Sequence, residues 1–454
     1  MNRDMLVKKA NLDGVDIDIA LEKEHPGNYF SVIVGKNGVG KSRLLRNISQ
    51  GVYDPSVHKK TICISNGYFH KFISSRDWMM YERMYDHGYR NLCLSDYYGG
   101  HFTHGDSFSN VFNRELVSLF FGSGESRDKT LQALREFGFF EGVNIELSLY
   151  KHLGLFDGNV MRFDRNALNI NVEISTWYNR MTEEELECIY NHAVKFLSAT
   201  NYLEVMKEQC PEWRRVGFNE EHTMQFCFRN HGHNLSYDFS FGTESSVANN
   251  FTDEFIESLL FLNKYRLISV QKTIFKKNGK DINMKELSSG ELSILLSILK
   301  INSEIEDSSL ILIDEPELSL HPAWQSQIIP SLEKCFSSYT DCHFIIATHS
   351  PLVVSSIPES NSAIVILDED AKIISGSKSH RKSADYQLFT VLGYAGDQNE
   401  YVKRRLMIIL SKLTNGTNLS DDEVIFLDRS KALLEDAEED DLTKYLLNQS
   451  ICLL

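Results

Sequence analysis

The chain has little that would tie it down covalently or anchor it in a bilayer. Its eight cysteines, at positions 63, 93, 188, 210, 227, 335, 342 and 452, include no CxxC pair. That spacing excludes a zinc knuckle or a thioredoxin-type motif and leaves reduced, mostly buried thiols. Eight prolines in 454 residues leave no extended linker. No apolar run reaches the roughly eighteen residues of a membrane span. The start, MNRDMLVKKANLDG, has acids where a secretory leader carries its apolar stretch. The expectation is a cytoplasmic protein without membrane contact. There is no internal repeat, and heptads are not sustained, so a long coiled-coil arm is excluded. The closing Ile451-Cys452-Leu453-Leu454 places its cysteine one position too late for a prenylation box.

Positive charge is also short. Lys and Arg number 47 against 63 Asp and Glu, a formal net charge of −16, which argues against a surface that binds nucleic acid throughout. Ten acids against two bases lie between Asp421 and Asp441, half of the whole imbalance. The remainder is only mildly acidic, and a local basic patch there could meet phosphate. The length corresponds to roughly three domain-sized units. With 42% apolar and 24% charged residues, the composition is that of a soluble globular protein, so wholesale disorder is excluded.

Four segments separate by pattern. Residues 1–72 hold an apolar run, Phe30 to Val34, a Gly-rich turn, the helical pattern from Arg43 to Ile48, and a second short strand, Thr61 to Ser65. Residues 73–260 are mixed. Met181 to Cys210 reads as one or two amphipathic helices entered through Thr182 and Glu185. Met224 to Arg229 and Leu235 to Phe241 alternate at period two and read as a β-hairpin. Residues 261–370 return to α/β. Arg266 to Phe275 and Asp281 to Leu287 form two strands around an Asn278-Gly279 turn, a helix starts near Gly290, and buried strands follow at Leu310 to Ile313, His343 to Ala347 and Ala363 to Leu367. Residues 371–454 read as helical and polar, with a short strand at Val424 to Leu427.

Gly35-Lys36-Asn37-Gly38-Val39-Gly40-Lys41-Ser42 fits GxxxxGK[ST]. Glycines let the backbone wrap a polyphosphate with its N–H groups, and the following helix adds its positive end. Lys41 would reach the β- and γ-phosphates, and the Ser42 hydroxyl would bind Mg²⁺. The bland alternative is an ordinary strand-to-helix turn. Leu310-Ile311-Leu312-Ile313-Asp314-Glu315 is an apolar strand ending in two carboxylates, placed where open α/β sheets bind ligands. There Asp314 would hold Mg²⁺ and Glu315 would orient the attacking water; solvated acids at a strand end are the alternative. Leu287-Ser288-Ser289-Gly290-Glu291 precedes a helix and reads either as a second anion site or as a simple cap. His349, in Thr348-His349-Ser350-Pro351, ends the next strand and could touch a γ-phosphate or merely face solvent. Glu317 to Pro322 reads as a loop into a helix beginning at Pro322.

These signals, in this order, resemble the ABC-type ATPase superfamily, and DEPELSLHP with ATHSP resembles its RecF, SMC and OLD-like branch. The resemblance implies an ABC-type P-loop ATPase head of α/β class: an N-terminal half (1–72), a mixed helical and β insertion (73–260), a C-terminal half (261–370) and a helical C-terminal appendage for partner binding or oligomerisation (371–454). It implies ATP and Mg²⁺ as cofactors, Gly35 to Ser42 as Walker A, Asp314 and Glu315 as Walker B and catalytic glutamate, Ser319 in the D-loop, and His349 as the switch. Ser288, Ser289 and Gly290 would contact nucleotide held by a second copy in a head-to-head dimer. Ser65 or Asn66 stands where the family has a glutamine. A narrower likeness to the ATPase of the Septu anti-phage system, PtuA, is carried by Ile62-Cys63-Ile64-Ser65-Asn66, Phe69, Phe72 and Tyr97-Tyr98-Gly99-Gly100. It implies a separate HNH endonuclease partner, DNA reached through the complex, and a homo-oligomer. The alternatives are a RecF-like repair or recombination clamp without a dedicated nuclease, or a regulatory nucleotide-binding module with little turnover.

No HNH-like cluster occurs in the chain, and Asp368-Glu369-Asp370 reads as a solvated turn. The histidines of 101–104 and 231–233 lack a second matching spacing for metal. Lys264, Arg266, Lys272, Lys276, Lys277 and Lys280, then Lys378 to Lys382, then Lys403 to Arg405, fit either DNA contact or solvated faces. The acidic run from Asp421 fits either a basic partner or solubilisation.

Overall fold

The structure is a computed structural model of the whole chain. It describes residues 6–51, 60–65, 70–73, 88–93, 108–122, 125–136, 138, 142–149, 156–157, 160–163, 184, 188, 191–192, 195–196, 224–227, 235–240, 252–264, 268–283, 286–368, 370–435 and 441–454. The chain forms two compact units, one from 1–95 with 304–454, the other from 96–303. The second unit includes the start of the helix Ser289–Glu304.

In chain order the strands of the first unit are β1 (Lys9–Leu12), β2 (Val15–Asp18), β3 (Tyr29–Gly35), β4 (Thr61–Ser65) and β5 (Tyr89–Asn91), and those of the second are β6 (Gly142–Leu149), β7 (Phe156–Asp157), β8 (Val160–Phe163), β9 (Met224–Cys227), β10 (Leu235–Ser240), β11 (Ile268–Lys277) and β12 (Lys280–Asn283). The first unit resumes with β13 (Leu310–Asp314), β14 (His343–Ala347), β15 (Ser362–Leu367) and β16 (Lys372–Ser375).

A seven-stranded sheet in the order β16-β15-β3-β14-β13-β4-β5 is the frame of the first unit. Every neighbouring pair is parallel except β15 with β16. Strands buried on both faces read as near-continuous apolar runs, and β3, β4, β13, β14 and β15 are buried throughout or nearly so. Successive side chains alternate between faces. Leu310, Leu312, Ile345, Ala347, Ile33 and Cys63 pack with Leu44, Leu45 and Ile48 of the helix Lys41–Gly51. The alternate residues Ile311, Ile313, Phe344, Ile346 and Val32 are equally buried. Phe344 stacks on Phe30 at 4.8 Å and on Phe336 at 6.1 Å. The neutral imidazole of buried His343 fastens the N-terminal segment: Val7 N–H donates to its Nδ1, and its Nε2 lies 2.9 Å from the Ser31 hydroxyl.

β16 adds an antiparallel edge strand in a segment whose sequence reads as helical apart from a strand placed at Val424 to Leu427. After it come the helices Ala384–Thr390, Glu400–Thr414, Asp421–Leu433 and Leu442–Cys452, with their own core of Phe389, Val402, Leu406, Phe426 and Leu446. The expected strand at Val424 to Leu427 is a correction: those residues lie inside the helix Asp421–Leu433. Ser420 and Glu423 form a capping box, Asp421 and Asp422 add charge to the first turn, and Lys412 pairs with Glu423 at 2.7 Å. Local capping overrides the strand preference of Val-Ile-Phe-Leu.

In the second unit β10-β6-β11-β12 form one sheet and β7-β8-β9 another. The expected hairpin of Met224 to Arg229 with Leu235 to Phe241 is therefore corrected. Both are strands, but β9 pairs with β8 and β10 with β6. Period-two patterning identifies a strand, not its partner. The Asn278-Gly279 hairpin is present: both turn residues have positive φ, 53° and 68°, and β11 pairs with β12 from Lys277↔Lys280 onward. Phe112 and Phe275 pack edge to face, and Thr273 donates to buried Asn113. Within Met181 to Cys210, the described residues 184, 188, 191–192 and 195–196 are helical. Asn66, Phe69, Tyr97 to Gly100, Arg266, and the histidines of 101–104 and 231–233 lie outside the described residues.

Phe344→Ala empties the space between two stacked rings at the sheet centre. The expected loss is about 3–5 kcal/mol, read as a lower midpoint in chemical denaturation.

Candidate functional site

Three neighbouring strand ends build the site. β14 lies between β3 and β13, and the register aligns Ile33 with Ala347 and Ala347 with Asp314. The turn after β3, the Thr348-His349 pair after β14 and the acids ending β13 therefore emerge side by side, at the carboxyl edge where ligands of open parallel sheets bind. Ser65, at the end of β4, is aligned with Asp314 and buried.

Gly35 has φ 154°, and a Cβ there would stand 2.5 Å from the Leu367 carbonyl oxygen and 2.9 Å from Val39. Gly38 and Gly40 have φ of 80° and 113°. Lys36, Asn37 and Gly38 are exposed, Val39 packs against the core, and the helix begins at Lys41. The geometry is a glycine-dependent wrap opening onto a helix N-terminus.

Lys41 is 5% exposed. Its ammonium donates to the carbonyl oxygens of Gly35 at 3.2 Å and Lys36 at 3.5 Å, and it touches Nε2 of His349. Burial lowers its pKa, while Glu315, Asp314 and Glu317 work to raise it. Burial, and then the Lys41 charge, lower the pKa of His349, so a neutral ring faces the ammonium. Glu315 Oε1 lies 3.5 Å from His349 Nε2, and two-thirds of the Glu315 side chain is covered. Glu315 adopts a φ of 46° and Ser319 one of 63°, both in the left-handed region that non-glycine residues enter at a cost. Ser319 is exposed.

Asp314 is buried, and burial raises its pKa to about 6 despite a hydrogen bond from Ser42 and the Lys41 charge. Its Oδ1 has no hydrogen-bond partner. Among the described residues no group of three or more His, Cys, Asp or Glu forms a metal cage. A single buried carboxylate with an open oxygen beside a serine hydroxyl fits a divalent ion whose other ligands are phosphate oxygens and water. Ser42 and Asp314 are the residues that would hold Mg²⁺.

The sequence did not single out Glu317, Thr348 or Gln325. Glu317 Oε1 accepts from the Thr348 hydroxyl at 2.7 Å and from the His349 N–H at 2.6 Å. Gln325 Oε1 accepts from the Ser350 hydroxyl at 2.6 Å. Glu317 stands two residues after Glu315, but nothing in its spacing names partners 31 and 32 residues away.

Ser288, Ser289 and Gly290 belong to the second unit, at the start of the helix Ser289–Glu304. Glu291 N–H donates to the Ser288 hydroxyl, and Ser288 N–H donates back to Glu291, a reciprocal cap. Lys277 from the Asn278-Gly279 hairpin grips the other Glu291 oxygen at 2.6 Å. Burial opposes, but Lys277 and Ser288 hold the Glu291 carboxyl below its ordinary pKa. Ser288 and Ser289 are exposed.

The parallel-rich sheet and the P-loop set beside two strand-end acids define a P-loop nucleotide-binding domain of ATPase type. Residues 107–355, more than half of the chain, match the family described as "AAA domain, putative AbiEii toxin, Type IV TA system", and the chain belongs to that AAA-type ATPase family. It is 39% identical over 99 residues to "Retron Ec83 probable ATPase" of Escherichia coli, covering 19% of this chain and 18% of the relative. It is 34% identical over 111 residues to "Retron Vc95 probable ATPase" of Vibrio cholerae serotype O1 biovar El Tor, covering 22% and 21%. A third match, "Protein ea59" of Escherichia phage lambda, is 36% identical over 74 residues, 16% of this chain and 14% of that one. The matched segments thus span about a fifth or less of these curated relatives. The solved structure "Crystal structure of Stu0660 of Streptococcus thermophilus" aligns over 96% of each chain at 12% identity, with a TM-score of 0.28 that carries no argument about the fold. No helix among the described residues is long and apolar enough to cross a membrane.

The raised Asp314 pKa has a sign. The folded state binds this proton more tightly than an unfolded carboxyl of pKa 3.8, so Asp314 destabilises the metal-free protein as pH rises from about 4 through about 6. Asp314→Asn is expected to raise the thermal midpoint of metal-free protein at pH 7 and flatten its fall over that interval. The same variant is expected to lose the Mg²⁺ dependence of nucleotide binding, measured by titration with and without chelator.

Proposed function

We propose that this chain is the ATP-binding and ATP-hydrolysing subunit of a Septu-like anti-phage defence complex, in which nucleotide-dependent head dimerisation controls a separate HNH endonuclease acting on DNA. The observation that carries the ATPase part is the convergence of Lys41, Ser42, Asp314, Glu315 and His349 on three adjacent strand ends. Support for the defence setting comes from the motifs shared with the Septu ATPase, from relatives named as retron ATPases, and from a family described through a Type IV TA system.

The backbone N–H groups after Gly35 and the Lys41 ammonium bind the triphosphate. Bound Mg²⁺ would neutralise charge developing on the phosphate oxygens. Glu315 orients the attacking water and accepts its proton, an effect worth about 10²–10⁴ in rate. His349, neutral and beside Lys41, is placed to read the γ-phosphate by hydrogen bonding. Ser288 and Ser289, exposed at a helix start, supply donors to nucleotide held by a second copy. ATP then stabilises the closed arrangement only as far as it binds that arrangement better, and this difference is what switches the nuclease. The exposed Lys378, Arg381 and Lys382 are the charge available for DNA.

Glu315→Gln is expected to keep ATP affinity, lose hydrolysis by at least about a hundredfold, and hold an ATP-dependent dimer measurable by mass. Turnover at the wild-type rate in this variant removes Glu315 from its role. Co-expression with a neighbouring HNH reading frame tests the partner: failure to co-purify with or without ATP removes it and leaves the ATPase assignment standing.

A further inference from the structure

The mechanism above gives Glu317 no task, yet its carboxylate is tied from two sides. Oε1 accepts both the Thr348 hydroxyl and the His349 N–H, while Oε2 is buried with no hydrogen-bond partner. The Thr348 oxygen in turn accepts the Ser350 N–H at 3.0 Å. Ser350 donates its hydroxyl to Gln325, and the Gln325 amide returns to the Leu320 carbonyl oxygen at 3.0 Å. The Glu315 N–H donates to the Ala347 carbonyl oxygen at 2.9 Å. These bonds stitch the acid-bearing loop 315–325 to the end of β14. His349 hangs in the seam by its backbone, with its ring against Lys41 and 3.5 Å from Glu315.

We propose that Glu317 is a positioning residue for ATP hydrolysis: its Oε1 fixes the backbone of His349, so that the imidazole stays between Lys41 and Glu315. The proposal rests on the ATPase reading of this site. A displacement of about 1 Å at a reacting group can cost about a hundredfold in rate. The seam also ties the two strand ends to each other.

The clamp needs an acceptor, not a negative charge, because only Oε1 is engaged. Burial is the leading influence on the Glu317 carboxyl and raises its pKa, in keeping with a group that works as acceptor more than as anion. An amide at 317 offers the same acceptor in the same volume. A carboxylate acting on metal or water cannot be replaced in that way.

The test compares full-length wild type with Glu317→Gln, Glu317→Ala, Thr348→Val and the Ala/Val double variant, by steady-state ATP hydrolysis and by NMR of isotope-labelled histidine with His349 assigned by its own substitution. Glu317→Ala is expected to lower kcat by about ten- to a hundredfold with KM for ATP within about threefold. Glu317→Gln is expected to stay within about threefold of wild type. The double variant should be no worse than Glu317→Ala alone, since both changes break one unit. The His349 ring signal should move in the Ala variant and not in the Gln variant. Glu317→Gln as inactive as Glu317→Ala, or Glu317→Ala at the wild-type rate, overturns the clamp. If the wild type itself hydrolyses no ATP, the ATPase reading falls, and the His349 signal alone decides: an unmoved signal in Glu317→Ala overturns the clamp. If Glu317→Ala does not fold, Thr348→Val removes a bond to the same oxygen and is read on the same signal, where no displacement is again the overturning result.

Discussion

A buried ammonium held against an excess of carboxylates sets the character of this molecule. Lys41 sits at the first turn of a helix whose N–H groups already favour anions, yet Asp314, Glu315 and Glu317 all act on it electrostatically. These acids offset the single Lys41 charge, so the pocket floor does little to attract the polyphosphate that its backbone cradle invites. A divalent ion held by Ser42 and Asp314 would supply the positive charge that resolves the conflict. The open oxygen of Asp314 and the hydroxyl of Ser42 are where the conflict is sharpest. The raised pKa of Asp314 shows the same tension: without a cation, proton uptake is the cheaper way to neutralise a buried carboxylate.

That arrangement depends on strand order. β3 and β13 are not neighbours; β14 separates them. Lys41 and the acids at the end of β13 therefore meet across the end of a third strand, and whatever residue follows that end lies between them. In this chain it is His349, two residues past β14, and burial together with Lys41 keeps its ring neutral. A protonated imidazole would set two cations in contact.

Much of this was legible in the sequence, for reasons that differ by element. The glycine pattern of 35–40 specifies backbone that only glycine adopts freely, and each has positive φ. An all-apolar strand ending in Asp314-Glu315 can only put its acids at the edge. Asn278-Gly279 encodes its own turn. What was not legible is pairing over distance. β9 and β10 alternate correctly but choose separate partners, β8 and β6. Val424 to Leu427 has strand composition, yet Ser420, Glu423 and Lys412 determine a helix. Glu317 looked like loop because its bonds reach 31 and 32 residues ahead, and the left-handed backbone of Glu315 carries no signature when glycine is absent.

That backbone also bears on why the acid loop is built as it is. Non-glycine residues at φ of 46° and 63° sit four positions apart, at Glu315 and Ser319, and each costs about 1–3 kcal/mol. Such strain persists only where surrounding bonds over-determine the loop. The bonds from Thr348, His349 and Ser350 do so, and they come from the end of β14 rather than from the loop itself. The loop is thereby held by bonds to the sheet. In the proposed function, binding energy not used to order this loop would remain available for the choice between an open and a closed dimer.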